Sequence, residues 1–205
     1  MSSAGSQAGD AYGRAAGCHE QLQAPLEAAS AYALAAHCWR KDDGGDGPAA
    51  TCLVRATELY ADEGRFLLVA RHHRELAELR EDAGDLEDAA ASYQRAADGY
   101  EDGSNADGCL RKVASLSARL ERYDRAIELF EQLARRSLDV ALLRFGAKQH
   151  LLCATLCRLA RGYEAADVGR AVERYCDTDA SFPQCREHKF LEVSDAADGR
   201  RPDSC

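Results

Sequence analysis

Residues 76–97 read "LAELREDAGDLEDAAASYQRAA", and this stretch decides the fold. Leu76, Ala77 and Leu79 close one apolar helical stripe, and Ala89, Tyr93 and Ala96 open the next. Between them "DAGD" places a glycine among aspartates, a composition that ends one helix and starts another. Small residues on both sides let two helices approach closely, while the tyrosine ring fills the groove beside them. The unit is therefore a helical hairpin.

The second half of that hairpin recurs. Ala8-Tyr12-Ala15, Ala49-Leu53-Ala56, Ala89-Tyr93-Ala96 and Ala126-Phe130-Leu133 share one pattern, and a degenerate copy starts at Ala166. Their first positions fall 41, 40, 37 and 40 residues apart, which is one hairpin plus its turns. The fold class that follows is all-α, a right-handed TPR-like α-solenoid of stacked antiparallel helical hairpins. The breaks "LQAPLE", "KDDGGDGP", "DEGR", "DAGDLE", "DGSNADG", "LERYD" and "RGYE" are short and rich in Gly, Pro, Asp or Asn, as helix connections are. They leave predicted helices at about 7–22, 25–41, 47–62, 65–83, 86–101, 105–120, 123–136, 140–161, 163–176 and 181–197. Tyr32, Tyr60, Phe66, Leu76, Leu79, Leu86, Tyr93, Val113, Leu116, Leu120, Ile127, Phe130, Leu152, Leu156 and Leu159 fall at helical spacing and are the expected core. One domain over 1–197 is expected, with 198–205 a fraying tail that has no apolar periodicity.

Composition excludes several functions. Of 205 residues only four are proline and one is tryptophan, and the formal net charge is −9. That charge opposes nucleic acid as a ligand, because phosphate binding needs a basic surface. No apolar run approaches the roughly 20 residues that span a bilayer, and "MSSAGSQAGD" lacks the basic head and apolar core of a signal peptide. Nine cysteines, an odd number without a regular framework, read as reduced cytosolic thiols.

Within "GRFLLVARHHRELAEL", residues 64–79, two arginines and two histidines crowd one turn. His72 and His73 are adjacent, so on a helix they point about 100° apart and cannot share a metal. His150, Cys153 and Cys157 lie on one helical face and are the better metal candidate. No paired C-x-x-C supports a site, so these cysteines read as packing residues and no metal or cofactor is expected. Neither a phosphate loop, a G-x-S-x-G elbow nor an H-E-x-x-H motif is present, which gives catalysis no foothold.

"AAGCHEQLQAPLEAASAYALAAHCWRK", "ATELYADEGRFLLVARHH" and "LLRFGAK" carry a resemblance that runs from near residue 9 to near residue 192. The chain resembles the soluble NSF attachment proteins, the alpha/beta-SNAP family. That resemblance implies an adaptor with no bond chemistry of its own. It would pack against the SNARE four-helix bundle, including syntaxin-type SNAREs, and recruit the hexameric ATPase NSF, which pulls the bundle apart. It also implies a cytoplasmic protein peripherally associated with membranes. A general TPR-like interaction scaffold with another partner is the alternative.

The bundle presents acidic side chains along a rod, so its partner needs cations spread over a long face. The residues that align with the family's bundle-facing cations are Arg65, Arg71, Lys112, Lys148 and Arg186. Gly108 stands where the family usually places a lysine, which implies weaker binding. Any of the 26 Lys and Arg is otherwise a solvated surface residue by default. The resemblance further implies that an N-terminal hairpin with a membrane-touching loop and a C-terminal NSF-engaging helix are absent. The final stretch, "EVSDAADGRRPDSC", has no such helical pattern.

Overall fold

The computed structural model describes residues 4–42, 44–101, 103–140, 143–179, 181–186, 188, 189 and 191. Among these residues the chain is all-α, without strands. The helices are α1 (Ala4–Gln21), α2 (Pro25–Trp39), α3 (Asp46–Asp62), α4 (Phe66–Asp82), α5 (Leu86–Gly99), α6 (Gly103–Arg119), α7 (Tyr123–Asp139), α8 (Arg144–Arg161) and α9 (Ala165–Thr178). A 3-10 turn follows at Phe182–Gln184, where Pro183 fixes the backbone. The helix expected over 181–197 thus opens with that turn. Residues 186, 188, 189 and 191 are helical, and the expected tail at 198–205 lies outside the described residues.

Five connections use one joint. Gln23, Gly64, Gly84, Glu121 and Gly162 all have positive φ, between 55° and 86°. In each case the next residue's N–H bonds a carbonyl five positions back: Ala24 to His19, Arg65 to Tyr60, Asp85 to Arg80, Arg122 to Ser117 and Tyr163 to Arg158. This is the Schellman turn, which satisfies the last carbonyls of a helix and reverses the chain within three residues. Consecutive helices therefore pack antiparallel as hairpins, the arrangement of a TPR-like α-solenoid. Every repeated triad sits on an odd-numbered helix, as a two-helix period requires.

Two compact units divide the chain, residues 1–112 and 113–205, with the division inside α6. In the first unit, Ala28 and Ala29 of α2 meet Ala56, Leu59 and Tyr60 of α3. A second cluster joins Ala36 and Trp39 of α2 to Ala49 and Leu53 of α3 and to Leu76 and Leu79 of α4. Alanine at these crossings allows close approach, and each large residue fully buried among them contributes about 1.5–3 kcal/mol. Gly9 of α1 serves the same end: a Cβ there would sit 2.7 Å from the Trp39 indole nitrogen.

In the second unit, Phe130 and Leu133 of α7, Leu151 and Ala154 of α8, and Val168, Ala171 and Tyr175 of α9 are buried. The half-buried Glu131 carboxylate accepts hydrogen bonds from Tyr175 Oη and, at 2.7 Å, from Arg158 Nη2. Burial pushes the Glu131 pKa up, but these two donors outweigh it and hold it below the usual range. The same buried environment, with Glu131 as acceptor, pushes the Tyr175 hydroxyl up to about 12.

Two expected core residues are exposed instead. Phe66 is the first residue of α4, and its side chain is exposed although Gly99 of α5 packs close to its backbone. Leu156 is displaced by a competing stripe: the stretch of α8 at 151–157 is small or apolar all round, and Ala147, Leu151, Ala154 and Thr155 take the inside. Leu152 and Leu159 are consequently only half-buried, as are Tyr32, Leu86 and Leu120.

Candidate partner-binding surface

Helix α4 carries a polar stripe at helical spacing: Arg71, Arg74 and Glu75, Glu78, Glu81. Arg71 Nε donates to Glu75 Oε1 at 3.2 Å. Glu78 is shared by Arg74 of the same helix, 3.9 Å away, and by Arg40 just past α2, 3.6 Å away. Arg74 Nη1 reaches Asn105 of α6 at 3.5 Å, and Lys112 of α6 donates to Glu81 Oε2 at 3.0 Å. Both contacts span 31 residues, so α4 lies beside this part of α6 in one register. Arg71 and Lys112 therefore belong to one polar surface of the first unit.

That surface is not simply basic. Arg71, Arg74 and Lys112 each face a carboxylate supplied by the protein itself. Exposed pairs of this kind are worth only about 0–1 kcal/mol to folding. They nonetheless occupy the cations that an acidic partner would use. Burial raises the Glu75 pKa, but hydrogen bonds from His72 and Arg71 more than offset it, so Glu75 stays ionised. Lys112 also lies 5.8 Å above the Tyr93 ring, whose hydroxyl donates to Glu81 Oε2 at 3.0 Å. Burial, then that bond to a carboxylate, raises the Tyr93 pKa and keeps the phenol protonated.

Arg65 occupies the turn before α4, exposed, and among the described residues its guanidinium has no carboxylate partner. In the second unit, Lys148 of α8 is half-buried, with Nζ 5.9 Å from the Phe145 ring and no ion pair among the described residues. Phe145 itself is 85% exposed, next to exposed Leu143 and Val140. Arg186 is exposed, two residues past the 3-10 turn. Sequence reasoning named the five cations but missed Glu75 and Glu81 as the carboxylates paired with Arg71 and Lys112, and missed Phe145 as an exposed ring. The i, i+4 spacing of Arg71 and Glu75 was available as a signal. The pairing of Lys112 with Glu81 was not.

The histidines part as their adjacency requires. His72 is buried and stacks on Tyr60 at 5.6 Å, while the half-buried His73 faces Arg80 and Arg95. His150 stacks on Phe130 at 6.3 Å, and burial raises the Cys153 and Cys157 thiols, which makes them poor nucleophiles and ligands. Among the described residues no cluster of three His, Cys, Asp or Glu could hold a metal, and no helix is long and apolar enough to cross a membrane.

The family model described as "Soluble NSF attachment protein, SNAP" matches residues 1–203. The chain belongs to the SNAP family. Among its relatives, this SNAP-family chain is 47% identical over 148 residues to the alpha-soluble NSF attachment protein of Dictyostelium discoideum, covering 70% of the chain and 50% of that protein. To the Homo sapiens alpha-soluble NSF attachment protein it is 37% identical over 191 residues, 91% of the chain and 63% of that protein. A probable vesicular-fusion protein sec17 homolog of Schizosaccharomyces pombe is 33% identical, over 92% of the chain and 65% of its own length. The chain thus spans about half to two thirds of these relatives. Among solved structures, BtubC from P. vanneervenii aligns over 79% of the chain and 67% of its own, with a TM-score of 0.54 and 17% identity, a likeness of fold.

Proposed function

We propose that this SNAP-family chain is a non-enzymatic adaptor in vesicle trafficking that binds assembled SNARE four-helix bundles and brings the ATPase NSF to them. Membership of a family whose relatives are named as NSF attachment and vesicular-fusion proteins is the observation that carries the reading. Exposed Arg65, Arg71 and Lys112 in the first unit, and Lys148 and Arg186 in the second, are the proposed contacts with the acidic bundle. The protein works in the cytoplasm and reaches membranes through its partners. Gly108 and the carboxylates beside Arg71 and Lys112 point to modest affinity, because an incoming acidic side chain must displace one already in place.

The decisive experiment is capture of a purified SNARE bundle by wild type and by Arg71→Glu/Lys148→Glu, at low and moderate salt, with a melting curve for each. Wild type should bind, bind less as salt rises, and lose binding on charge reversal with little change in melting. Equal capture by both proteins at both salt levels would leave the cations as ordinary surface. No capture at all would leave a TPR-like scaffold for another partner. Stimulation of NSF ATP hydrolysis in the presence of the bundle tests the second half of the adaptor reading.

A further inference from the structure

Away from the Arg71 stripe, α4 and α5 gather positive charge that no carboxylate answers among the described residues. The two helices run antiparallel, and two contacts fix their register. A Cβ added at Gly99 would sit 3.0 Å from the Ala70 Cβ, and Arg80 Nη1 donates to Ser92 Oγ at 2.6 Å. Between these points the register sets His73 of α4 opposite Arg95 of α5. Arg80 follows His73 two turns along the same side of α4, and Arg95 lies one turn from Ser92. His73 is half-buried, and its Nδ1 is shut from solvent without a hydrogen-bond partner. Arg95 is exposed and makes no ion pair among the described residues. Arg80 donates to Ser92 Oγ and, at 3.4 Å, to the Asp88 carbonyl, and to no carboxylate among them. Burial first, then Arg95, Arg80 and His72, hold the His73 pKa below its ordinary value, so both guanidiniums act on the imidazole.

Other cations of this chain are answered within it: Arg158 by Glu131, Arg71 by Glu75 and Lys112 by Glu81. A chain of net charge −9 has carboxylates to spare, yet none pairs with Arg80 or Arg95 among the described residues. Two planar forks beside an imidazole that lacks an acceptor are the donor set that recognises a phosphate oxyanion. We propose that His73, Arg80 and Arg95 bind a phosphate group, free or carried on a lipid headgroup. Each guanidinium grips one edge of the phosphate, and protonated His73 adds a third donor. The bound anion reverses the field on the imidazole, whose charged form it favours. Phosphate binding and protonation of His73 therefore strengthen each other. The groups that act on His73 are Arg95 from α5 and Arg80 and His72 from α4, with no carboxylate among them. The site goes beyond the SNARE reading and does not rest on it: His73 and Arg80 project from α4 about 180° from Arg71.

Proton NMR titration of the 205-residue chain tests it, the His73 signal being picked out from six histidines by its loss in His73→Gln. Sulfate is the first probe, because it stays a dianion while histidine titrates. Chloride at matched ionic strength is the reference, which removes simple screening of the guanidiniums. Sulfate should raise the His73 midpoint by about 0.5 or more and leave the other histidines where they are. Arg95→Gln, at an exposed position, should raise the midpoint in chloride and abolish the further rise in sulfate. Arg80→Gln is the second variant, and a melting curve for each keeps the test valid if one misfolds. Calorimetry with inorganic phosphate, and flotation with phosphatidylcholine vesicles with and without a phosphatidylinositol phosphate, separate the two sources. Vesicle capture that needs both the phosphoinositide and Arg95 assigns a lipid headgroup. Binding of inorganic phosphate without such capture, weakened about tenfold or more by Arg95→Gln, assigns free phosphate. A His73 midpoint equal in sulfate and chloride overturns the proposal. So does a sulfate response that survives in both arginine variants, or one accompanied by no binding of phosphate in either form.

Discussion

α1 and α5 carry the same triad and meet different fates. In α5, Tyr93 is buried beneath Lys112, its hydroxyl is held by Glu81, and Ala89 and Ala96 are fully covered. In α1, Ala8 and Ala15 are half-buried and the Tyr12 ring lies open. The motif specifies a helix and its apolar side. Whether that side becomes core depends on how many neighbouring helices reach it, so equal repeats in sequence are unequal in energy.

The largest test of this contrast is the pair of tyrosines. Tyr93→Ala should cost about 3–5 kcal/mol, as burial-to-cavity aromatic changes do. Tyr12→Ala should stay within about 0.5 kcal/mol. Urea denaturation compares them, and equal costs would mean that α1 is as well covered as α5. The two sides of α1 give a second comparison. Gly9→Ala drives a methyl into the Trp39 ring and should cost about 1–3 kcal/mol. Gly13→Ala meets nothing and should gain about 0.5–1 kcal/mol through helix propensity.

Turn chemistry separates the same two hairpins. Gly84 before α5 adopts positive φ freely, whereas Gln23 after α1 does so against its Cβ. Gln23→Gly should therefore stabilise by about 0.5–1 kcal/mol, readable as a rise in Tm. The smallest expected effect is on pH. His73 lies between α4 and α5, and burial, then Arg95, Arg80 and His72, hold its pKa below the ordinary 6.5. The unfolded chain then takes the proton more readily, so this contribution is intact above pH 6.5 and fades as pH falls from there towards the folded value. His73→Asn should flatten that slope in denaturation curves taken on either side of it. An unchanged slope would assign acid sensitivity to other groups.

Much of the helical order was legible because its signals are local. Glycine and aspartate breaks, the 37–41-residue period and the triads of Ala, an apolar or aromatic residue, and Ala or Leu all survive in the structure. The failures came where local pattern is degenerate. "LLCATLCRL" offers more than one apolar stripe, and packing took Leu151 and Ala154 inside rather than Leu156. Phe66 has helical spacing but begins its helix, where its side chain stays exposed. The five cations were named from resemblance alone, and their ion pairs were not read from the sequence. Lys112 and Glu81 are 31 residues apart, and only the packing of α6 on α4 makes them a pair.

The close seat of Trp39 on Gly9 has an experimental consequence. It is the chain's one tryptophan, so red-edge fluorescence excitation reports only its seat on α1 and in the cluster that α2 forms with α3 and α4. The second unit has no indole and is followed by its tyrosines, Tyr175 among them. Emission and far-ultraviolet ellipticity recorded on one sample are therefore two separate clocks. Any lag between them would time the loosening of the packing around Trp39 against the melting of the helices as a whole, with no label attached.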